Sequence, residues 1–584
     1  MRYNCHAHIF TFRSVFTEGT LSILVNRLGR AGWPDFATRA AEKVLLKHIR
    51  GDMLDENTLL IELVGALKAD QGLKALINAG EATLPPSLSV VLDGNITGLA
   101  VGALREIIAK LGGEAQANLE AKVGKADFGD FFAFFDLGIK PSIQAVAAKL
   151  LEYSGPDTAA VALMMDITLG GAADDQLFLT QLEDTATAAL VFPGRILPFV
   201  AVNTQRTSHY ERMTYALEQR GFVGVKLYPS LGYPVDSAAM RKVYDYCLAN
   251  DTPLLLHCNH GGFYRDLPSI EFCDPAAWEP VLHDYPNLRV CFGHFGGDED
   301  LVKAVVPPDS WTSRIIGLMQ RYPQIYADIS YHDDPMEGGA NETNYFQNLA
   351  GILNDPVLGS RVLFGSDYHL VRQRVRDDNL WQFFATRFSP DHFTKITVTN
   401  PVAFLGLPKD DGSGSKPNIV RHLHYLAKHN AEVREQPAAW ALTAIQSEFG
   451  AVTFYPNKFG SGWLQNNEAH FYTDSYFRTL MAPADAQRLS FLDAGRMRMR
   501  DLVGWPSEAL PAEIRTAALL QIATRLQAFA TQKPDPGAVF EPGVTGDQAR
   551  QAFVSLLGSP DRQVAEFGPA VDQLYHFKSE QPSP

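Results

Sequence analysis

The chain has 584 residues, with 46% apolar and 20% charged residues, an ordinary balance for a globular protein with a large core. Its formal net charge of -15 repels phosphate backbones and argues against nucleic acid as a partner. Five scattered cysteines, odd in number and without a Cys-x-x-Cys, argue against a disulfide scaffold and for a reducing compartment.

The first residues carry chemistry. The run Met1-Arg2-Tyr3-Asn4-Cys5-His6-Ala7-His8-Ile9-Phe10 reads as a strand over Tyr3–Ile9. Strand side chains alternate faces, so His6 and His8 point the same way, and two imidazoles on one face can grip one metal ion. No basic region followed by an apolar one stands here, so the expectation is a cytoplasmic protein without a signal peptide. The most apolar long stretch, Ser87–Leu111, contains Asp93, Asn95, Arg105 and Glu106, too polar for a membrane span.

From Phe12 to about Gly155 the spacing is helical, as in Leu21–Leu28, Asn57–Lys68 and Ser142–Leu151. Short apolar runs then alternate with helical stretches. They are Ala159–Met165, Ile196–Val202, Val223–Leu227, Leu254–His257, Val290–His294, Ile325–Ile329 and Val362–Phe364. Amphipathic segments such as Ala238–Ala249 and Asp298–Val306 lie between them. With the first strand there are eight. Eight buried strands separated by helices predict an α/β chain with a parallel (β/α)8 TIM barrel. A doubly wound open sheet is the competing fold.

The polar Gly/Ser/Pro stretch 408–417 reads as a linker. Beyond it the pattern is mainly helical, as in Ala512–Gln532 and Asp547–Leu557, while Phe454–His470 looks loop-like. The expected layout is therefore strand one at 1–11, a helical insertion at 12–155, the remaining barrel at 156–407, a linker at 408–417 and a mainly helical C-terminal region at 418–584.

Four strands end in residues suited to metal work, and strand four carries a lysine. After His6 and His8 come Lys226 in Gly224-Val225-Lys226-Leu227-Tyr228-Pro229 and His257 in Leu254-Leu255-Leu256-His257-Cys258. His294 follows in Gly293-His294-Phe295-Gly296-Gly297, and Asp367 in Phe364-Gly365-Ser366-Asp367-Tyr368-His369. Barrel strand ends converge on one mouth, where active sites form. Imidazoles and a carboxylate around a divalent ion suit Zn²⁺, or less often Mn²⁺ or Fe²⁺.

In that order, these motifs and the closing Asn400-Pro401-Val402-Ala403-Phe404 resemble the amidohydrolase superfamily, most of all its amidohydrolase-related branch of hydrolases and non-oxidative decarboxylases. The resemblance covers residues 1–11 and roughly 157–407. It implies two designs. In the first, His6, His8, His257 and Asp367 hold one metal and His294 orients the water. In the second, Lys226 is carboxylated and bridges two ions, one held by His6, His8 and Asp367, the other by His257 and His294. Dihydroorotases carry an Arg where this chain has Phe10, which argues against that activity and for an apolar or aromatic substrate group near Phe10.

The resemblance implies a hydrolase of a small amide, lactam or ester. Metal-activated water would attack, Asp367 would shuttle the proton and His294 would steady the developing charge. The alternatives are a metal-dependent decarboxylase of an aromatic or unsaturated acid, or a non-catalytic barrel that binds a protein. His260, Arg265, His369 and Phe10 are candidates for substrate contact. Asp328 and His332 follow strand seven, where a loop or surface role is an equal alternative, and Asp166 suits a polar network or cap. His422, His424 and His429 do not share one helix face, and Trp463 and Tyr472 suit packing or a lid. The helical additions are candidates to cover the mouth, restrict substrate size or build a homo-oligomer interface.

Overall fold

Eight short apolar runs form eight strands: β1 (Arg2–Ala7), β2 (Thr158–Leu163), β3 (Ile196–Val202), β4 (Gly224–Leu227), β5 (Leu254–Leu256), β6 (Val290–Phe292), β7 (Ile325–Asp328) and β8 (Val362–Leu363). Every neighbouring pair is parallel, and the sheet order follows the chain from β1 to β8. Cys5 N–H donates to the Phe364 carbonyl at 2.8 Å and His8 N–H to the Tyr368 carbonyl at 3.0 Å. Those bonds bring β1 against the chain after β8, so the sheet is nearly closed and the TIM-barrel expectation holds. The computed structural model describes residues 1–30, 35–50, 62, 66, 134–140, 142–167, 172–409, 414–452 and 454, except 374, 376, 431, 432 and 434. Most of Asn57–Lys68 and Phe454–His470, together with Ala512–Gln532, Asp547–Leu557, Trp463 and Tyr472, lies outside them.

Local chemistry sets the helices between the strands. Ser142 Oγ accepts from Ala145 N–H at 3.0 Å and starts the helix Ile143–Ser154, which Gly155 ends at φ 88°. Ala238–Ala249 is helical as its periodicity predicts, with Ser237 as the cap. Asp298–Val306 is not: it forms turns. Asn344 and Asn348 side chains take the carbonyls of Val302, Leu301 and Lys303, so those groups are satisfied without an i to i+4 ladder. Pro307 and Pro308 then block helix continuation, and the next helix starts at Trp311 under a Ser310 cap.

Two apolar clusters build the interior. The main one fills the barrel and the layer between strands and helices. It also takes in Ile419, Leu423 and Leu426 of the helix Pro417–Lys428. The second lies at the barrel mouth. Phe10, Phe12, Phe16, Leu24 and Val44 from the start of the insertion meet Phe134, Phe135 and Ile139 from its end, together with Met165, Tyr228, Phe263 and Leu370 from loops after β2, β4, β5 and β8. Each fully buried large side chain in such a cluster contributes about 1.5–3 kcal/mol, so the insertion is anchored at both of its ends. No helix among the described residues is long and apolar enough to cross a membrane.

Candidate metal and active site

The alternation of β1 delivers its two histidines inward, both buried. His8 lies one residue past the last residue of the strand, but its main-chain bond to Tyr368 keeps it in line. The His8 Nδ1–H donates to the Leu163 carbonyl at 2.9 Å. A carbonyl only accepts, so the Nε2 of His8 carries the lone pair, and it faces Asp367 Oδ1 at 3.3 Å. His6 repeats the pattern. Its Nδ1 meets Asp328 Oδ2 at 2.9 Å, and its Nε2 lies 3.5 Å from Asp367 Oδ1. Two lone-pair nitrogens and a carboxylate oxygen turned toward one another repel unless a cation lies among them. One atom from each of His6, His8 and Asp367 falls within 4.8 Å of the others, so the donor set fits a divalent ion.

Lys226, on β4, reaches the same place, with its Nζ 3.2 Å from His6 Nε2. Burial pushes its pKa down to about 8, against the pull of Asp367 and Asp328. Burial, then the neighbouring ammonium, pushes His6 down to about 4; burial and the same ammonium hold His8 well below the ordinary histidine value. Both imidazoles are neutral at pH 7, the form that binds metal.

His257 and His294 complete the cluster. His257 Nδ1 sits 2.9 Å from His294 Nε2, and its ring stacks on Tyr228 with centroids 4.0 Å apart. The loop beyond it turns through Gly262 at φ 81°, where a Cβ would collide with the Tyr228 hydroxyl and the His257 ring. Phe263 N–H donates to that hydroxyl at 2.7 Å. His294 is not on β6 but in the turn after it, and its φ of 62° is followed by 49° at Phe295. Left-handed backbone at a non-glycine residue costs on the order of 1–2 kcal/mol. Asp328 offsets that cost by accepting the His294 N–H at 3.0 Å, and the Nε2–H of His332 donates to the His294 carbonyl at 2.9 Å. Asp367 also sits at positive φ, 56°, with its N–H on the His6 carbonyl at 2.8 Å.

Residues 147–407 match the family model described as Amidohydrolase. That stretch, the barrel from β2 onward, is similar to the amidohydrolase family. No curated protein matches the chain. Among solved structures, it is similar to a 2,6-dihydroxybenzoate decarboxylase from Rhizobium, at 14% identity and TM-score 0.34 over 44% of this chain and 87% of the other. A probable 2-pyrone-4,6-dicarboxylic acid hydrolase from Acinetobacter baumannii matches at 17% and 0.33, over 46% and 89%. A 5-carboxyvanillate decarboxylase from Novosphingobium aromaticivorans, with bound manganese, matches at 17% and 0.32, over 55% and 92%. Amidohydrolase family members are metal-dependent enzymes. The family match begins after β1, so His6 and His8 lie outside it, and only the folded barrel returns them to the site.

The barrel thus brings His6, His8, Lys226, His257, His294 and Asp367 together at one mouth. Phe10 and His369 pack against each other beside His8, with ring centroids 4.3 Å apart, and burial pushes His369 down to about 3. His260 and Arg265 do not join the cluster. Both are exposed. His260 stacks on Trp311 with centroids 3.9 Å apart, and Arg265 donates to Gln205 Oε1 at 2.6 Å. Asp166 is in a polar network, paired with Arg206 at 2.7 Å. On the helix Pro417–Lys428, His422 is buried and His424 exposed, so they face opposite ways.

Asp328 and His332 are neither loop-surface nor peripheral: both are buried, at 0% and 1% exposure. Burial alone raises the Asp328 carboxyl, but His6, His294 and Ser330 together hold it well below the usual carboxylate range. Sequence reasoning passed over Ser330 entirely. The signal was a spacing of two, as at His6 and His8: Asp328 ends β7, and Ser330 and His332 follow it at i+2 and i+4 in the turn beyond the strand.

Proposed function

We propose that this chain is a metal-dependent enzyme that hydrolyses an amide, lactam or ester bond in a small molecule. The observation that carries the reading is the convergence of the His6 and His8 Nε2 lone pairs on Asp367 Oδ1. A resident divalent ion, Zn²⁺ in the first instance and Mn²⁺ or Fe²⁺ as alternatives, would supply Lewis acidity that acidifies a water and polarises the scissile carbonyl. His6, His8, His257 and Asp367 would hold it, and Lys226 would join only if carboxylated. Asp367 would take the proton of the attacking water and pass it to the leaving group. His294, aimed by its left-handed turn, would orient the attacking water by accepting its O–H at the Nε2 lone pair.

The walls support a substrate with an apolar side. Phe10 stands 6.1 Å, ring to ring, from His8, and Tyr228 stacks on His257. The same walls favour a second reading, decarboxylation of an aromatic acid, with Asp367 as the proton donor to the ring. One screen separates the two. Metal-loaded protein is offered anilides, lactams, lactones and hydroxybenzoates, with amine or acid release and carbon dioxide release followed separately. Amine or acid release that is lost on chelation and restored by metal supports hydrolysis. Carbon dioxide release alone replaces it with decarboxylation. Protein that binds no transition metal overturns both. The soluble-substrate reading needs no nucleic acid or membrane partner, and a cytoplasmic location goes with it.

A further inference from the structure

One carboxylate touches both halves of the site without facing its centre. Asp328 Oδ2 accepts from His6 Nδ1–H at 2.9 Å. Asp328 Oδ1 accepts from His294 N–H and Ser330 N–H, each at 3.0 Å, and from the Ser330 hydroxyl. That hydroxyl oxygen lies 3.0 Å from His6 Nδ1 and 2.9 Å from His294 Nδ1. The Ser330 carbonyl lies 3.1 Å from His294 Nδ1. Every group facing the two Nδ1 atoms is an acceptor: the carboxylate and the carbonyl have no proton to give, and the hydroxyl has given its own to Asp328. The two imidazoles therefore carry their proton on Nδ1 and their lone pair on Nε2. On the far side, His332 Nε2 holds the His294 carbonyl and its Nδ1 meets the Tyr345 hydroxyl at 2.7 Å.

We propose that Asp328, Ser330 and His332, three alternate residues running off the end of β7, form one positioning brace that fixes the tautomer of His6 and His294 and holds the left-handed turn at His294. The proposal rests on the metal-site reading for its consequence, but the tautomers themselves do not depend on it. Asp328 ends β7, Ser330 and His332 are buried in the turn beyond it, where Tyr331 sits at φ 58°, and the chain separates them from His6 by more than three hundred residues, so the brace is a product of the closed barrel. It acts through the histidines: the Asp328 oxygens are taken by His6 Nδ1–H, by the His294 and Ser330 N–H groups and by the Ser330 hydroxyl. Outer partners of this kind typically change metal affinity by about 10- to 100-fold.

The decisive variant is Asp328→Asn. An amide turned toward His6 offers a donor where the carboxylate offered an acceptor, so His6 must move its proton to Nε2. The test uses full-length protein with ¹⁵N-labelled histidine, read by ring-nitrogen NMR in the metal-free state, and Zn²⁺ and Mn²⁺ affinities by competition titration. Asp166→Asn, a buried carboxylate paired with Arg206 elsewhere at the barrel mouth, is the control for loss of a buried charge. The expected result is a tautomer change at His6 and a 10- to 100-fold loss of metal affinity in Asp328→Asn, with neither in Asp166→Asn. Unchanged tautomers in Asp328→Asn overturn the brace, and so does an equal loss in the control. Should Asp328→Asn fail to fold, Ser330→Ala and His332→Phe are read by Zn²⁺ and Mn²⁺ affinity, which the brace requires to fall in each, and wild-type affinity in both overturns the proposal. If wild-type protein binds no metal, the metal-site reading falls while the tautomer measurement still decides the brace.

Discussion

Phe12→Ala tests whether the insertion ends are part of the catalytic barrel. Phe12 is completely buried. Its ring lies 5.5 Å from Phe134, 5.8 Å from Phe135 and 6.0 Å from His369, centroid to centroid. A Cβ on Gly138 would collide with it, so the ring fills the space that glycine leaves. Removing it deletes the joint between residue 12, the stretch 134–139 and the loop after β8. Burying a phenylalanine side chain is worth about 1.5–3 kcal/mol by transfer alone. The cavity left by alanine adds to that, and the usual cost of the change is about 3–5 kcal/mol. Urea unfolding of the full chain, followed by circular dichroism and by limited proteolysis between residues 12 and 155, measures it. The expected outcome is a loss of about 3 kcal/mol or more, with early cleavage in the insertion while the barrel stays folded. A loss below about 1 kcal/mol with unchanged proteolysis would refute the packing argument.

Asp367→Asn and His6→Ala should each lower turnover by at least about 100-fold while the thermal transition stays cooperative; activity retained in both variants rules out the proposed proton shuttle. Metal analysis of freshly purified protein should give one ion per chain, because Lys226 as an ammonium sits beside His6 Nε2. Two ions per chain, with ¹³C-bicarbonate signal lost in Lys226→Gln, would establish the carboxylated form instead. Acid should destabilise the fold before the carboxylates titrate. His422 is buried with its Nδ1–H on the Gly221 carbonyl at 2.6 Å, and burial pushes it down to about 4 from 6.5. The fold favours its neutral form, so its contribution is complete above pH 6.5 and falls as pH drops from 6.5 toward 4, by about 3 kcal/mol at most. The urea midpoint measured from pH 7 to pH 4.5 should fall more steeply for wild type than for His422→Phe. Parallel slopes would rule out this histidine as a source.

The strands were legible because a buried parallel strand is a run of apolar residues that few other elements mimic. Each of the eight forms within two residues of its expected span. The inner face was legible where alternation ended in histidine, at His6 and His8, and was passed over at Asp328 and at Ser330 in the turn beyond it, residue types that turns and caps use more often. Asp298–Val306 misled because its periodicity is helical while its carbonyls are taken by Asn344 and Asn348, some forty residues on. His260 and Arg265 are near His257 in sequence but not in the cluster. The turn at Gly262 carries the chain back over His257 and leaves both side chains at the rim.

An insertion of about 150 residues stands between β1, which carries the first two donors, and β2. Loop closure grows only as the logarithm of length: replacing a crossover of about 20 residues by one of about 150 adds about 2 kcal/mol. Against that stand the contacts of β1 with both neighbours. Register pairs from Arg2 to Ala7 tie it to β2. On the other side, Cys5 and His8 donate to Phe364 and Tyr368, and Ser366 and Asp367 donate to the His6 carbonyl. Each such bond contributes about 0.5–1.5 kcal/mol, and Tyr3 and Cys5 lie in the main core. The position of His6 and His8 is therefore set by the strands beside them. The same bonds join His6 to Asp367 through the main chain, so a change that loosens β1 from β8 should weaken metal binding even when no donor atom is altered. Cys5 offers the case. It is fully buried, and a Cys5→Leu substitution overfills its place at a cost of about 1–3 kcal/mol. It should reduce metal affinity more than Cys247→Leu, which is equally buried but lies on the outer helix Ala238–Ala249. Equal metal affinities in the two variants would show that β1 is held by something other than its neighbours.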